Sequence, residues 1–426
     1  MIRMATEPLD IDDSTISDLL VSCFRDESGF SNSTPAREAT DSDWAGVFEE
    51  ATRQGVAPGL YLLLKRHAVE LRLPAEAFRR LGEQYILNAA KNVTLGHAFS
   101  RIGSSFKAEG IQVVPLKGLY LAEAVYGNPV GRSIGDLDLM VKESDLGRAE
   151  RVLLTLGYEP KNCHRLTGPD IADFSYRHPT TGLIVELHWN LLRSGLAGSM
   201  DAEGLWERAR PGVVAGQDVL TLCPEDLIIY LCVHTTKHSF QGGLRSMCDL
   251  FEVTSRFGED LDWTVVTARA GEWGVSRSTY FALRLSRDLL RADVPDPCLE
   301  KLRPAGLRES DYRLARAEVV SPRHPNREDI WMSPNVAQLW GAGGVGAKLV
   351  LFAKRVFPSP AEMSRMYPVP PRSWKLVLYY PYRAADLLRR HGRAAWLRFT
   401  GKREVIDFTE HERALNSLRD WIHSPE

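Results

Sequence analysis

The sequence predicts an α+β protein, with a small sheet-bearing core flanked by N- and C-terminal helical subdomains. Three observations carry that expectation. Apolar residues recur at three- and four-residue spacing from residue 44 to about residue 107. Between residues 111 and 189 the spacing falls to two, the period of a half-buried strand. From Pro224 the helical spacing returns.

Taken in order, residues 1–40 are an acidic lead with too little apolar surface to offset ordering entropy, apart from one short helix built on Ile16, Leu19, Leu20 and Phe24. Residues 41–110 form the helical N-terminal subdomain. Phe78, Leu81, Tyr85 and Ile86 show its period, and Gly110 supplies a stop. Residues 111–222 form the core. A strand over 111–116 runs into the turn Lys117-Gly118, an apolar helical stretch over 119–126 and a turn at Gly127-Asn128-Pro129. A strand over 136–141 follows, then a helix capped by Ser144 or Asp145 that ends near Gly157. Strands over 174–178 and 183–189, joined by Pro179-Thr180-Thr181-Gly182, read as a hairpin. Residues 223–300 are helical again. Pro224 suits the first helical position, and Glu225 and Asp226 suit the positive end of the helix dipole. Residues 301–426 are punctuated by proline and glycine, with helical or interfacial stretches at 349–356 and 374–399.

Composition excludes several function classes. The 426 residues suit two or three domains, and 53 basic against 55 acidic side chains give a formal charge of −2. That excludes a wholly basic nucleic-acid binder and a wholly acidic disordered chain. Six cysteines with no Cys-x-x-Cys pair argue for a reducing compartment and against a zinc knuckle. The N-terminus lacks a signal-like apolar core, and no run of 18 apolar residues predicts a membrane span, so the expected location is the cytoplasm. Charge is nevertheless segregated: residues 1–50 hold 12 acidic and 3 basic side chains, and residues 372–403 hold nine basic and one acidic. The aromatic residues interleaved through 372–403 suit contact with an anionic membrane surface or nucleic acid, or a terminal helical subdomain with its arginines in solvent.

The most informative segment is Asp136-Leu137-Asp138-Leu139. On a strand both aspartates share one face and both leucines the other. Side-by-side carboxylates repel, and a hard divalent cation such as Mg²⁺ relieves them. A solvated edge strand or a helix-cap pair is the plainer reading. Glu186 and His188 share a face of a second strand, so Glu186 meets the aspartates if the strands are neighbours; otherwise it is an edge carboxylate in an ion pair. The turn Lys117-Gly118 before a helix offers backbone amides and a point charge to phosphate, or simply a surface lysine. Arg132 reads either as a triphosphate ligand or as a partner of Asp136.

These residues resemble the nucleotidyltransferase superfamily related to DNA polymerase β: a glycine turn opening a helix, an acid–apolar–acid strand and a third acid on a later strand. More narrowly they resemble an uncharacterised bacterial nucleotidyltransferase family, through Leu116-Lys117-Gly118, Arg132, Asp136-Leu137-Asp138 and Glu186-Leu187-His188-Trp189. The resemblance implies a polymerase β-like core with a small mixed sheet. It implies Asp136, Asp138 and Glu186 as metal ligands and catalytic groups. Two Mg²⁺ ions and a nucleoside triphosphate follow, with a nucleoside monophosphate passing to a hydroxyl or phosphate of a small-molecule, protein or RNA acceptor. Specialised-metabolite or polysaccharide biosynthesis is one implied setting. A toxin-like or protein-modifying transferase and a non-catalytic nucleotide-binding scaffold are the alternatives. The scaffold rests on Leu119, which follows Gly118 where better-known transferases carry serine or glycine.

His234 and His238 lie four residues apart on one helical face. They read as metal ligands completed by His188 or Asp249, as contacts to nucleotide or acceptor, or as buried histidines that hold the helix in place. The resemblance extends to Lys237 and Arg245, which it directs toward the nucleotide. It leaves His188, His234, His238 and Asp249 as supporting positions around the metal. By spacing alone, Arg245 and Asp249 also suit an ordinary helical ion pair.

Overall fold

The computed structural model describes residues 13–25, 36, 38–67, 71, 73–161, 173–192, 200–321, 357–360, 363, 373–375, 377–385 and 403–424. Residues 1–161, 167–321 and 422–426 form one compact unit, and residues 162–166 and 322–421 a second.

In the first unit the short N-terminal helix is α1, Asp13–Arg25, with Ile16, Leu19, Leu20 and Cys23 buried. Helix α2, Asp41–Arg53, starts at a capping box in which Thr40 and Asp43 satisfy each other's backbone amides. Helix α3, Ala57–Lys65, follows with a proline in its first turn. Helix α4, Ala75–Ala108, has 34 residues, which makes it about 50 Å long. Its buried residues Asn92, Leu95, Phe99, Ile102 and Phe106 alternate spacings of three and four and so form a single stripe.

The central sheet has five strands in the order β1-β2-β5-β4-β3: Val114–Pro115, Leu137–Met140, Ile184–His188, Asp173–Arg177 and Glu159–Pro160. Strands β2 and β5 are parallel and every other pair is antiparallel, so the sheet is mixed. The hairpin β4–β5 falls where strand alternation places it. The strand expected over 111–116 shortens to two paired residues, because Pro115 brings no amide donor to the ladder. The apolar stretch after Gly118 becomes a π-helical turn at Leu121–Val125. Leu137, Leu139, Val185 and Leu187 are buried on one face of the sheet, and this fixes the opposite face for the polar residues between them.

Helix α5, Leu146–Thr155, and helix α6, Ala202–Arg208, precede a second hairpin, β6 (Arg210–Val214) and β7 (Gln217–Thr221). Its turn residues Ala215 and Gly216 both have positive φ, at 47° and 73°, as a primed two-residue turn requires. Six helices follow: α7 Pro224–Lys237, α8 Gly243–Phe257, α9 Trp263–Glu272, α10 Ser276–Leu290, α11 Asp296–Leu302 and α12 Glu309–Val320. Helix α7 is buried on nearly every side. Asp226 in its first turn is fully buried and is held by Arg208 at 3.1 Å and Arg269 at 2.6 Å.

In the second unit Met363 is buried against Tyr379 and Tyr380, and the Tyr380 hydroxyl donates to the Pro358 carbonyl at 2.7 Å. Helix α13 spans Arg403–Ile422. Within the basic 372–403 stretch, Trp374, Val377, Leu378 and Tyr382 are exposed, and residues 372, 376 and 386–402 lie outside the described residues. Most of the acidic lead, residues 1–12 and 26–35, lies outside them too. No helix among the described residues is long and apolar enough to cross a membrane.

Candidate functional site

The parallel register places Asp138 on β2 directly beside Glu186 on β5. Strand alternation sets His188 two residues beyond Glu186 on the same face, and its ring reaches back. His188 Nε2 lies 3.3 Å from Asp138 Oδ1 and 3.8 Å from Glu186 Oε2. The donor atoms of Asp138, Glu186 and His188 all lie within 4.8 Å of one another. Asp138 Oδ2 is buried and has no hydrogen-bond partner among the described residues. That orphaned oxygen, within a set of two carboxylates and one imidazole, fits a divalent metal ion.

Lys117 reaches this cluster from the turn after β1. Its Nζ lies 3.2 Å from Asp138 Oδ1 and 3.3 Å from His234 Nε2 on α7. Two features fix the turn. The Leu116 amide donates to the Asp138 carbonyl at 3.0 Å. Gly118 adopts φ +58°, and a Cβ there would lie 3.2 Å from Ile134 Cγ2 and 3.4 Å from the Asp136 carbonyl. Burial, reinforced by the Lys117 ammonium, holds His234 neutral. Its Nε2 therefore accepts from Lys117.

The carboxylates titrate apart. Burial raises the proton affinity of Asp136, and the charge of Asp138 adds to that. Burial, then the charges of Asp138 and Asp136, does the same to Glu186. Burial also works against ionised Asp138, but the Lys117 ammonium and the His188 hydrogen bond outweigh it and hold this group below the ordinary carboxylate range.

Beside the carboxylates lies a cleft of about 640 Å³, counting its space open to solvent, lined in part by Lys117, Asp136, Asp138, His234 and Arg245. Residues 40–291 match a family of uncharacterised nucleotidyltransferases. The chain belongs to that family. No curated protein and no solved structure matches it.

Asp136, Asp138, Lys117 and Gly118 meet at one cleft, with Glu186 and His188 against Asp138. Asp136 stands beside Asp138 but is not one of the three convergent donors, a place taken by His188. Arg132 lines the cleft, yet its guanidinium is held by Asp249 through two hydrogen bonds of 2.7 Å. Asp249 is thus the partner of Arg132 and not of Arg245. Arg245 has no ion-pair partner among the described residues; burial and the nearby Arg132 both work against its charge. Lys237 lies 3.8 Å from Asp173 and is not among the cleft-lining residues. His238 packs its ring against that of His234, with centroids 4.6 Å apart.

Three contributors escape sequence reasoning. Tyr126 donates to Asp249 at 2.8 Å and completes its pairing with Arg132. Asn88 and Asn92 on α4 donate to the Arg132 carbonyl at 3.2 and 2.9 Å and pin that segment. Two asparagines four apart inside a long helix, where asparagine is a poor helix former, are a sequence signal for such a role.

Proposed function

We propose that this nucleotidyltransferase transfers a nucleoside monophosphate from a nucleoside triphosphate to a hydroxyl or phosphate of an acceptor, with divalent metal held by Asp138, Glu186 and His188 beside Asp136. The observation that carries the reading is the buried, unpartnered Asp138 Oδ2 within that cluster, in a chain of a nucleotidyltransferase family. When bound, the metal supplies charge that neutralises phosphate oxygens and the developing pyrophosphate. Lys117 and Arg245 are the cationic side chains left for the triphosphate, and Gly118 lets the backbone approach it. Beside the metal, Glu186 also helps take up the proton of an acceptor hydroxyl, as the family resemblance implies. The acceptor oxygen then bonds to the α-phosphorus, the bond from that phosphorus to the bridging oxygen breaks, and pyrophosphate leaves with the electron pair. Leu119 does not obstruct this path, because its side chain is buried in the core.

The test is incubation with each of the four α-labelled triphosphates, divalent metal and a cell lysate. Label should pass to an acceptor and should be lost with Asp138→Asn. If no triphosphate transfers label and none binds in a metal-dependent way, the proposal fails.

A further inference from the structure

The resemblance assigns the metal to carboxylates and leaves His188 as a supporting position. His188 stands on β5 one residue pair beyond Glu186, in register with Met140 of β2 and Asp173 of β4. From there its ring turns back so that one nitrogen, Nε2, faces two carboxylates at once, 3.3 Å from Asp138 and 3.8 Å from Glu186. A single N–H can serve only one of them. If Nε2 carries no proton, its lone pair faces two negative charges. A cation placed among the three donors would meet all of them at once, and Asp138 Oδ2, without a hydrogen-bond partner among the described residues, offers it a further buried oxygen. The spacing also suits direct ligation. Donors about 2.1 Å from a shared ion and roughly at right angles lie about 3 Å from each other, so small side-chain adjustments close the shell.

The geometry points to His188 Nε2 as a direct ligand, and hence to a first-row transition ion of the Mn²⁺ type bound in preference to Mg²⁺. The inference rests on the metal-dependent reading above and specifies its ion. Mg²⁺ seeks a regular shell of oxygens and keeps its waters, so an imidazole nitrogen is a poor donor to it. Mn²⁺ accepts carboxylate and phosphate oxygens together with nitrogen. The other histidine at the cleft cannot take this role without losing its contact, since His234 Nε2 already accepts from Lys117.

The test uses the full-length protein and Mn²⁺ as the probe. Pulsed electron paramagnetic resonance of the bound ion should show modulation from one directly coordinated ¹⁴N, and it should change to the ¹⁵N pattern when the protein is grown with ¹⁵N-histidine. That arm needs no substitution, so a folding defect cannot obscure it. Competition should show Mn²⁺ bound about tenfold or more tightly than Mg²⁺. His188→Gln keeps a donor toward Asp138 but removes the imidazole; it should lose the nitrogen coupling and bring the two ions toward equal affinity. Bound Mn²⁺ without nitrogen coupling in the wild type would overturn the inference while leaving the transferase reading intact. So would coupling that survives in His188→Gln. Mn²⁺ binding unchanged in Asp138→Asn would overturn both.

Discussion

Replacing Glu186 by glutamine should stabilise the metal-free protein while abolishing metal binding. Asp136, Asp138 and Glu186 crowd one sheet face, and Lys117 is the ammonium in contact with them, 3.2 Å from Asp138. A unit charge at 4 Å is worth about 4 kcal/mol at an effective dielectric of about 20. Lys117 and His188 offset much of that repulsion, and the Glu186 side chain is 31% exposed, so about 1 kcal/mol remains, the usual gain when a functional site is relaxed. The sign follows from linkage. A carboxyl whose proton affinity is raised on folding contributes stability below its unfolded pKa, and this is lost as the pH rises through the folded value. Ionised Glu186 therefore destabilises the protein at neutral pH. Thermal unfolding in EDTA at pH 7.5 should show Glu186→Gln melting about 1–2 °C higher, a gain that shrinks as the pH is lowered and wild-type Glu186 takes up its proton. Added Mn²⁺ should raise the wild-type midpoint and leave the variant unmoved. A metal-free variant that melts at or below wild type at pH 7.5 would refute the reasoning.

Metal affinity of the wild type, followed by calorimetry, should rise with pH across the mildly acidic range, because protons on Asp136 and Glu186 compete with the ion. Arg132→Ala leaves Asp249 buried without its countercharge and should cost about 3–5 kcal/mol in denaturant unfolding. Arg245→Ala breaks no ion pair among the described residues; it should weaken nucleotide binding about tenfold or more, read from equilibrium titration, with a change in melting temperature under about 2 °C.

What the sequence discloses about this site follows the range of each rule. Strand alternation is local, so it places Asp136 with Asp138 and Glu186 with His188 without further information. The neighbouring of Asp138 and Glu186 depends on a parallel pairing across 48 residues, and no local pattern specifies that register. Helical spacing puts Arg245 and Asp249 within reach of each other, yet Asp249 pairs with Arg132, 117 residues away. A surface pair at four-residue spacing is worth only a few tenths of a kcal/mol. A bidentate pair buried beside the Tyr126 hydroxyl is a stronger claim on the carboxylate. Likewise His234 reads from the sequence as a histidine bordering a core, and only the tertiary fold brings its nitrogen to Lys117. The turn at Ala215-Gly216 escapes notice because alanine is a rare residue at positive φ.

The pairing of Arg132 decides what the cleft can accept. With Asp249 neutralised by Arg132, the cleft keeps Asp136 and Asp138, with Glu186 against Asp138 and Lys117 serving them, on one side. On the other it keeps Arg245, a cation without an ion-pair partner among the described residues. Among the described residues Arg245 makes no contact with the acids short enough for an ion pair, although its charge and that of Asp136 favour each other at longer range. An anion alone would suit Arg245 but deepen the repulsion around Asp136 and Glu186. A lone divalent cation would relieve the acids but add positive charge near a guanidinium that Arg132 already opposes. A metal–triphosphate carries both signs, with cation and anion a few ångströms apart, and it alone relieves both sides together. On the proposed function, metal and nucleotide binding should be linked through these charges, each strengthening the other, and Arg245→Ala should weaken that linkage.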